Sequence, residues 1–148
     1  MPIIQLSTII RNNKRQAVYN LLKDMQRFPI FMRYVKDIYI IEKKGNKLIT
    51  FWRVSIDCAD IFWKEEDIFN DKQMNLKFRM IEGDYSKYEG EWSLEDISED
   101  TRIILYANFD WGVPAFEKLV GDILKKKARD ALRSMLNAIK KELERDNG

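Results

Sequence analysis

Apolar residues recur at steps of three and four along the end of the chain and at steps of two through its middle. From Val113 to about Asp146, Phe116, Leu119, Val120, Ile123, Leu124, Ala128, Ala131, Leu132, Met135, Leu136, Ile139 and Leu143 keep the helical interval. They form one stripe, and lysines and arginines take the other side. Pro114 suits the first turn, where its missing N–H costs nothing. At about 1.5 Å per residue the helix runs close to 50 Å. A stripe of that length needs a wide cover, and a curved sheet supplies one.

The period of two predicts the strands. The first covers Ile3–Ile10. Asn12 and Asn13 then offer a cap for a short helix from Lys14 to about Asp24, with Ala17, Val18, Leu21 and Leu22 on its apolar side. Pro29 biases Phe28 away from helix, so the chain turns there before a second short helix. Strands follow over Lys36–Lys44, Leu48–Ile56, Ile61–Phe69, Met74–Ile81, Tyr85–Leu94 and Thr101–Trp111. The turns between them carry Gly45-Asn46, Asp57-Cys58-Ala59-Asp60, Asn70-Asp71-Lys72, Glu82-Gly83-Asp84 and Ser98-Glu99-Asp100. The pattern predicts an α+β fold over a single domain, residues 1–148. Seven antiparallel strands wrap the long C-terminal helix, with two short helices between strands 1 and 2.

Composition narrows the chemistry. The 148 residues contain no histidine and one cysteine, Cys58. This excludes Ser-His-Asp and Cys-His catalysis, histidine-ligated metals and a disulfide within the chain. No metal or cofactor is expected. No apolar run approaches the roughly 20 residues of a membrane helix, and the N-terminus lacks a signal-peptide pattern, so a cytoplasmic location is expected. Charge is nearly balanced, 26 basic against 24 acidic residues, yet residues 1–36 hold seven Lys/Arg and one acid. Arg11, Lys14, Arg15, Lys23, Arg27, Arg33 and Lys36 are either solvated surface or a patch for transient contact with anionic lipid or a ribosome. DNA is not expected as a partner, and the oligomeric state is left open.

Specific residues sharpen the fold. The run from Val18 to Met32, with Asp24, Phe28-Pro29 and Phe31, is similar to the short-helix, Asp, aromatic-Pro pattern of the START-like or Bet v 1-like superfamily. Glu82-Gly83-Asp84-Tyr85 resembles its glycine turn, and Gly90-Glu91-Trp92 its Gly-x-Trp strand. Within that helix-grip group the chain resembles polyketide cyclase/dehydrase proteins, including coenzyme Q-binding proteins and ribosome-association toxins. The resemblance implies a cavity between sheet and long helix and an apolar small-molecule partner: a lipid, a quinone or a polyketide-like ring system.

The candidate lining is Phe31, Met32, Trp52, Trp92, Phe109, Phe116, Val120 and Leu124, with Phe28–Met32 as its lip. The same aromatics would serve equally as plain core. Trp63 shares its face with Ile61, Glu65, Asp67 and Phe69. Buried carboxylates need partners, so this face is expected outward, with Arg53 and Arg79 as surface ion-pair partners. Were it inward, Glu65, Arg53, Arg79 and Tyr88 would be the groups available to a cyclase or dehydratase. Lys64-Glu65-Glu66-Asp67 does not reproduce the arginine-and-hydroxyl set that the resemblance implies for cyclases. Binding therefore ranks above catalysis.

Overall fold

The computed structural model describes residues 3–57, 59–84, 86–110 and 114–145; the side chains of 114–122 and 124 lie outside the description. Seven strands form one antiparallel sheet: β1 (Ile3–Ile10), β2 (Val35–Lys44), β3 (Lys47–Ile56), β4 (Ala59–Asn70), β5 (Asn75–Gly83), β6 (Lys87–Ile97) and β7 (Asp100–Asp110). Their order is β1-β7-β6-β5-β4-β3-β2, so every neighbour except β1–β7 is a sequential hairpin. Between β1 and β2 come α1 (Arg15–Lys23), a 3₁₀ turn (Met25–Arg27) and the one-turn α2 (Phe28–Phe31). The chain closes with the 32-residue α3 (Pro114–Arg145). This is the α+β helix-grip architecture expected from the pattern.

Alternation decides which face each strand buries. In β1, Ile4, Leu6 and Ile10 are buried while Ile3, Gln5, Ser7 and Ile9 are exposed. In α1 the helical interval buries Val18, Tyr19, Leu21 and Leu22. Along α3, Leu132, Leu136 and Ile139 enter the same core, whereas Ile123, placed on the stripe by spacing, is 58% exposed. Polar anchors fix the helices against the sheet. Arg133 Nη1 donates to the Ser7 carbonyl at 2.9 Å and Lys140 Nζ to that of Ile9 at 2.6 Å. The Tyr19 hydroxyl donates to Asp71 at 2.5 Å, which ties α1 to the β4–β5 turn.

Several boundaries differ from expectation for local reasons. Asn12 and Asn13 do not cap α1. Lys14 is the cap residue and makes no side-chain capping bond, Asn12 takes a positive φ of 57°, and Asn13 Nδ2 donates to the Arg11 carbonyl. Phe28 is helical despite the following proline, because α2 is a single turn with Pro29 inside its start. Met74 has φ 56°, which delays β5 to Asn75, while β4 begins already at Ala59. Cys58, Tyr85 and Trp111 lie outside the described residues.

One buried bond holds the β1–α1 connection. The Thr101 hydroxyl, fully buried, donates to the Asn13 carbonyl at 2.7 Å. Thr101→Val keeps the shape but strands the carbonyl, and is expected to cost about 1–3 kcal/mol in urea denaturation.

Candidate functional site

Tryptophans occupy three buried strand positions, Trp52, Trp63 and Trp92, and antiparallel register brings the first two together. Trp52 on β3 pairs directly with Trp63 on β4. Their rings stack with centroids 5.4 Å apart at 14°. Tyr88 on β6 stands edge-on to Trp63 at 5.5 Å and tilts against Phe78 at 5.1 Å. Phe28 closes over Trp52 edge-on at 6.1 Å. Between these rings a void of about 10 Å³ is bounded by Trp52, Glu65, Leu76, Phe78, Tyr88 and Trp92 from the sheet and by Met25, Phe28 and Met135 from the helical side. It has room for about one water molecule.

The expected outward orientation of the Trp63 face is wrong. Trp63, Glu65 and Asp67 are 6%, 3% and 0% exposed and point into the core. Arg53 and Arg79 are not their partners: Arg53 pairs with Asp37 and Asp60, and Arg79 with Glu66, all away from the void. The partners come instead from the buried face itself. Trp63 Nε1 donates to Glu65 Oε1 at 2.7 Å, Thr50 Oγ1 donates to Asp67 Oδ2 at 2.7 Å, and Trp52 Nε1 donates to Thr50 Oγ1 at 3.0 Å. Register explains the set, because Thr50 lies opposite Glu65 and two residues along β4 sits Asp67. A bulge follows in β5: Lys64 pairs with Glu82 but Glu65 with Met80, so Ile81 is extra.

Asp67 Oδ1 receives no N–H or hydroxyl from any described residue. The Glu65 carboxyl beside it supplies a hydrogen when protonated, and the two groups share a hydrogen bond. Burial, then the neighbouring Asp67 charge and that bond, push Glu65 well above the usual carboxyl range; the Trp63 N–H only partly opposes this. Burial also raises Asp67, against the bonds from Glu65 and Thr50. The arrangement is a pair of buried acids, both raised above the usual carboxyl range, with Glu65 set in an aromatic wall.

Of the residues expected to line a cavity, Trp52 and Trp92 border this void. Phe109 is buried core, 2% exposed. Phe31 and Met32 border a separate surface groove of about 310 Å³, with Arg33 and Lys36 at its rim. Phe116, Val120 and Leu124 fall outside the described side chains. Glu65 and Tyr88 do reach the void, while Thr50 and Asp67 were not foreseen as site residues. Alternation alone put Asp67 beside Trp63 and Glu65, and pairing Leu48–Ile56 against Ile61–Phe69 would have found Thr50.

A larger groove, about 480 Å³, lies on the opposite face of the sheet and includes Glu66, Lys77, Arg79 and Tyr106. Its Glu66 is held ionised by Lys47 and Arg79 at an exposed surface. Four of the seven basic residues of the N-terminal third pair with acids from elsewhere: Lys14 with Glu99, Arg15 with Asp96, Lys23 with Asp71 and Arg27 with Glu142. Among the described residues, no group of three or more His, Cys, Asp or Glu could hold a metal ion. No described helix is long and apolar enough to cross a membrane.

Solved structures share this architecture. The Thermus thermophilus protein TTHA0849 superposes with a TM-score of 0.93 at 21% identity, over 99% of this chain and 100% of that one. The ZhuI aromatase/cyclase of a Streptomyces species gives 0.90 at 14% identity, over 99% and 96%. Major latex-like protein 151 of Panax ginseng gives 0.73 at 14% identity, over 95% and 96%. No curated protein sequence matches the chain. Fold and topology thus define a START-like, Bet v 1-like helix-grip protein. More narrowly, the chain belongs to the polyketide cyclase/dehydrase and lipid transport family, whose model matches residues 13–140.

Proposed function

We propose that the protein binds a compact apolar molecule bearing one polar group, between the concave sheet and α3, with the ligand's polar end at Glu65. One observation carries this: a buried carboxyl forms part of the wall of an otherwise aromatic and aliphatic void. A core whose only task is packing has no use for a carboxyl there, since burying it costs more than an apolar residue would. The family description, which includes lipid transport, agrees with a binding role.

The void is far below the roughly 300–1,000 Å³ of ordinary ligand sites. A ligand therefore displaces side chains on the helical side, and Met25 and Met135 are unbranched residues that repack at small cost. Binding is driven by about 25 cal/mol for each Å² of apolar surface removed from water. Met135→Ala enlarges the space and is expected to bind propylbenzene more tightly than the natural protein, read as a larger rise in Tm at saturating ligand. A clean ligand-free mass in native mass spectrometry, with no Tm rise from propylbenzene in either protein, overturns the reading.

A second reading is a cyclase or dehydratase, and the same Glu65 favours it. A carboxyl that burial holds protonated well above the ordinary carboxyl range can deliver a proton to a ligand's carbonyl oxygen. Tyr88 stands on the same wall. Under this reading Glu65→Gln abolishes turnover of a poly-β-keto substrate while leaving its binding in place; unchanged turnover removes it.

A further inference from the structure

We infer that the protein docks on an anionic lipid bilayer through the tip of α2, with Ile30 entering the membrane and Arg33, Lys36 and Lys141 meeting its phosphates. The inference goes beyond the binding role proposed above and does not rest on it.

Phe28-Pro29-Ile30-Phe31 makes a single helical turn, and its side chains divide between two environments. Phe28 is 2% exposed and stands edge-on to Trp52. Ile30 is 83% exposed, more than any other large apolar side chain among the described residues. Pro29 and Phe31 beside it are partly buried. One isoleucine in water is ordinary on its own. This one borders the groove of about 310 Å³, and a second groove of about 390 Å³ shares Phe31 and Arg33 with the first.

Charge around these grooves selects the partner. Their linings hold Arg33, Lys36, Lys141 and Arg145 against one acid, Glu142. That acid is already paired with Arg27 and Arg145. The Arg33 guanidinium lies 5.3 Å from the Tyr34 ring centroid, and Lys36 Nζ donates to the Arg33 carbonyl at 3.1 Å. Neither contact neutralises a charge. Among the described residues no carboxylate pairs with Arg33, Lys36 or Lys141, whereas Lys14, Arg15, Lys23 and Arg27 are paired. Two unpaired cations of the N-terminal third therefore stand at α2, where α3 adds Lys141.

An anionic bilayer answers both features. Its phosphates attract the cations, each contributing about fivefold in partitioning, and the isoleucine buries its apolar surface beyond them. A nucleic-acid backbone would satisfy the cations and leave Ile30 in water. Phe28 on the same turn borders the void, so docking brings the membrane to the segment that covers it.

The test uses the full chain and sedimentation with vesicles of phosphatidylcholine, alone or with about one third phosphatidylglycerol. Partitioning onto the anionic vesicles is expected to exceed that onto neutral ones by about tenfold or more at low salt, and to fall about as far at high salt. Ile30→Ser should weaken anionic binding about tenfold without moving Tm, since the side chain fills no core space. Lys36→Gln and Lys141→Gln should each weaken it about fivefold. Lys14→Gln, which removes a charge already paired with Glu99, should stay within about twofold and so separates the patch from net charge. Equal binding to both vesicle types, or anionic binding that ignores Ile30→Ser and the two lysine variants, overturns the inference. Failure to bind vesicles overturns it as well, and binding of single-stranded RNA in their place assigns the surface to nucleic acid instead. Propylbenzene binding is measured without vesicles, so none of these outcomes decides the reading of the void.

Discussion

At pH 8 the Glu65→Gln protein is expected to be markedly more stable than the natural one, and at pH 4 the two should be alike. The sign follows from where the proton sits. Unfolded, Glu65 ionises near its ordinary value of 4.5; folded, burial and Asp67 hold the proton to much higher pH. Between those two values the unfolded chain releases a proton that the folded one keeps, so rising pH favours unfolding. The stability linked to Glu65 is complete below about 4.5 and is lost as pH climbs toward the folded value, by up to about 1.4 kcal/mol per pH unit. Glutamine removes that dependence. Its amide N–H can donate to Asp67 and its carbonyl can accept from Trp63 Nε1, which preserves both bonds without a titrating proton. Glu66, Asp71 and Glu144 have depressed values and push the other way, but they do so equally in both proteins. Urea midpoints at pH 4, 6 and 8 isolate the difference. Parallel curves would mean that Glu65 is ionised in the folded protein.

That proton was out of reach of the sequence for a definable reason. The fold was legible because strands and helix carry different periods and the turns carry glycine, asparagine and aspartate. The long helix, the hairpins and the inward faces of Trp52 and Trp92 follow from that alone. Glu65 and Asp67 were read outward because two carboxylates in a core demand partners, and the visible candidates were arginines. The structure meets the demand with neutral donors, a tryptophan N–H and a threonine hydroxyl, while burial raises Glu65 so that it holds its proton. Choosing between those solutions requires the β3–β4 register. The basic N-terminal third shows the same limit from the other side. Its acids, Asp71, Asp96, Glu99 and Glu142, lie up to 115 residues away, so counting charge along the chain could not see the pairing.

Gly90→Ala is expected to be the most damaging single-atom addition described, costing about 3 kcal/mol or more. Gly90 sits on β6 between Phe78 of β5 and Ala107 of β7. A Cβ built there would lie 1.9 Å from the Tyr106 carbonyl oxygen, 2.7 Å from Phe78 Cζ and 3.0 Å from Ala107 Cα. Two of the three obstacles are backbone and cannot rotate away. Ordinary overpacking costs about 1–3 kcal/mol because side chains yield; here the strands themselves must part. The β5–β6 ladder has little to spare, since it runs only from Leu76–Trp92 to Arg79–Glu89. The damage should reach the site as well, because Phe78, Tyr88 and Trp92 flank Gly90 and line the void. A loss of near-ultraviolet circular dichroism from the tryptophan cluster should therefore accompany the lowered urea midpoint. Gly45→Ala is the control. Gly45 has φ +59° in the β2–β3 turn with nothing within 4 Å of its would-be Cβ, so only the left-handed backbone is penalised, by roughly 1–2 kcal/mol. If the two variants unfold at the same midpoint, close strand approach at Gly90 is not what shapes the sheet around the aromatic wall.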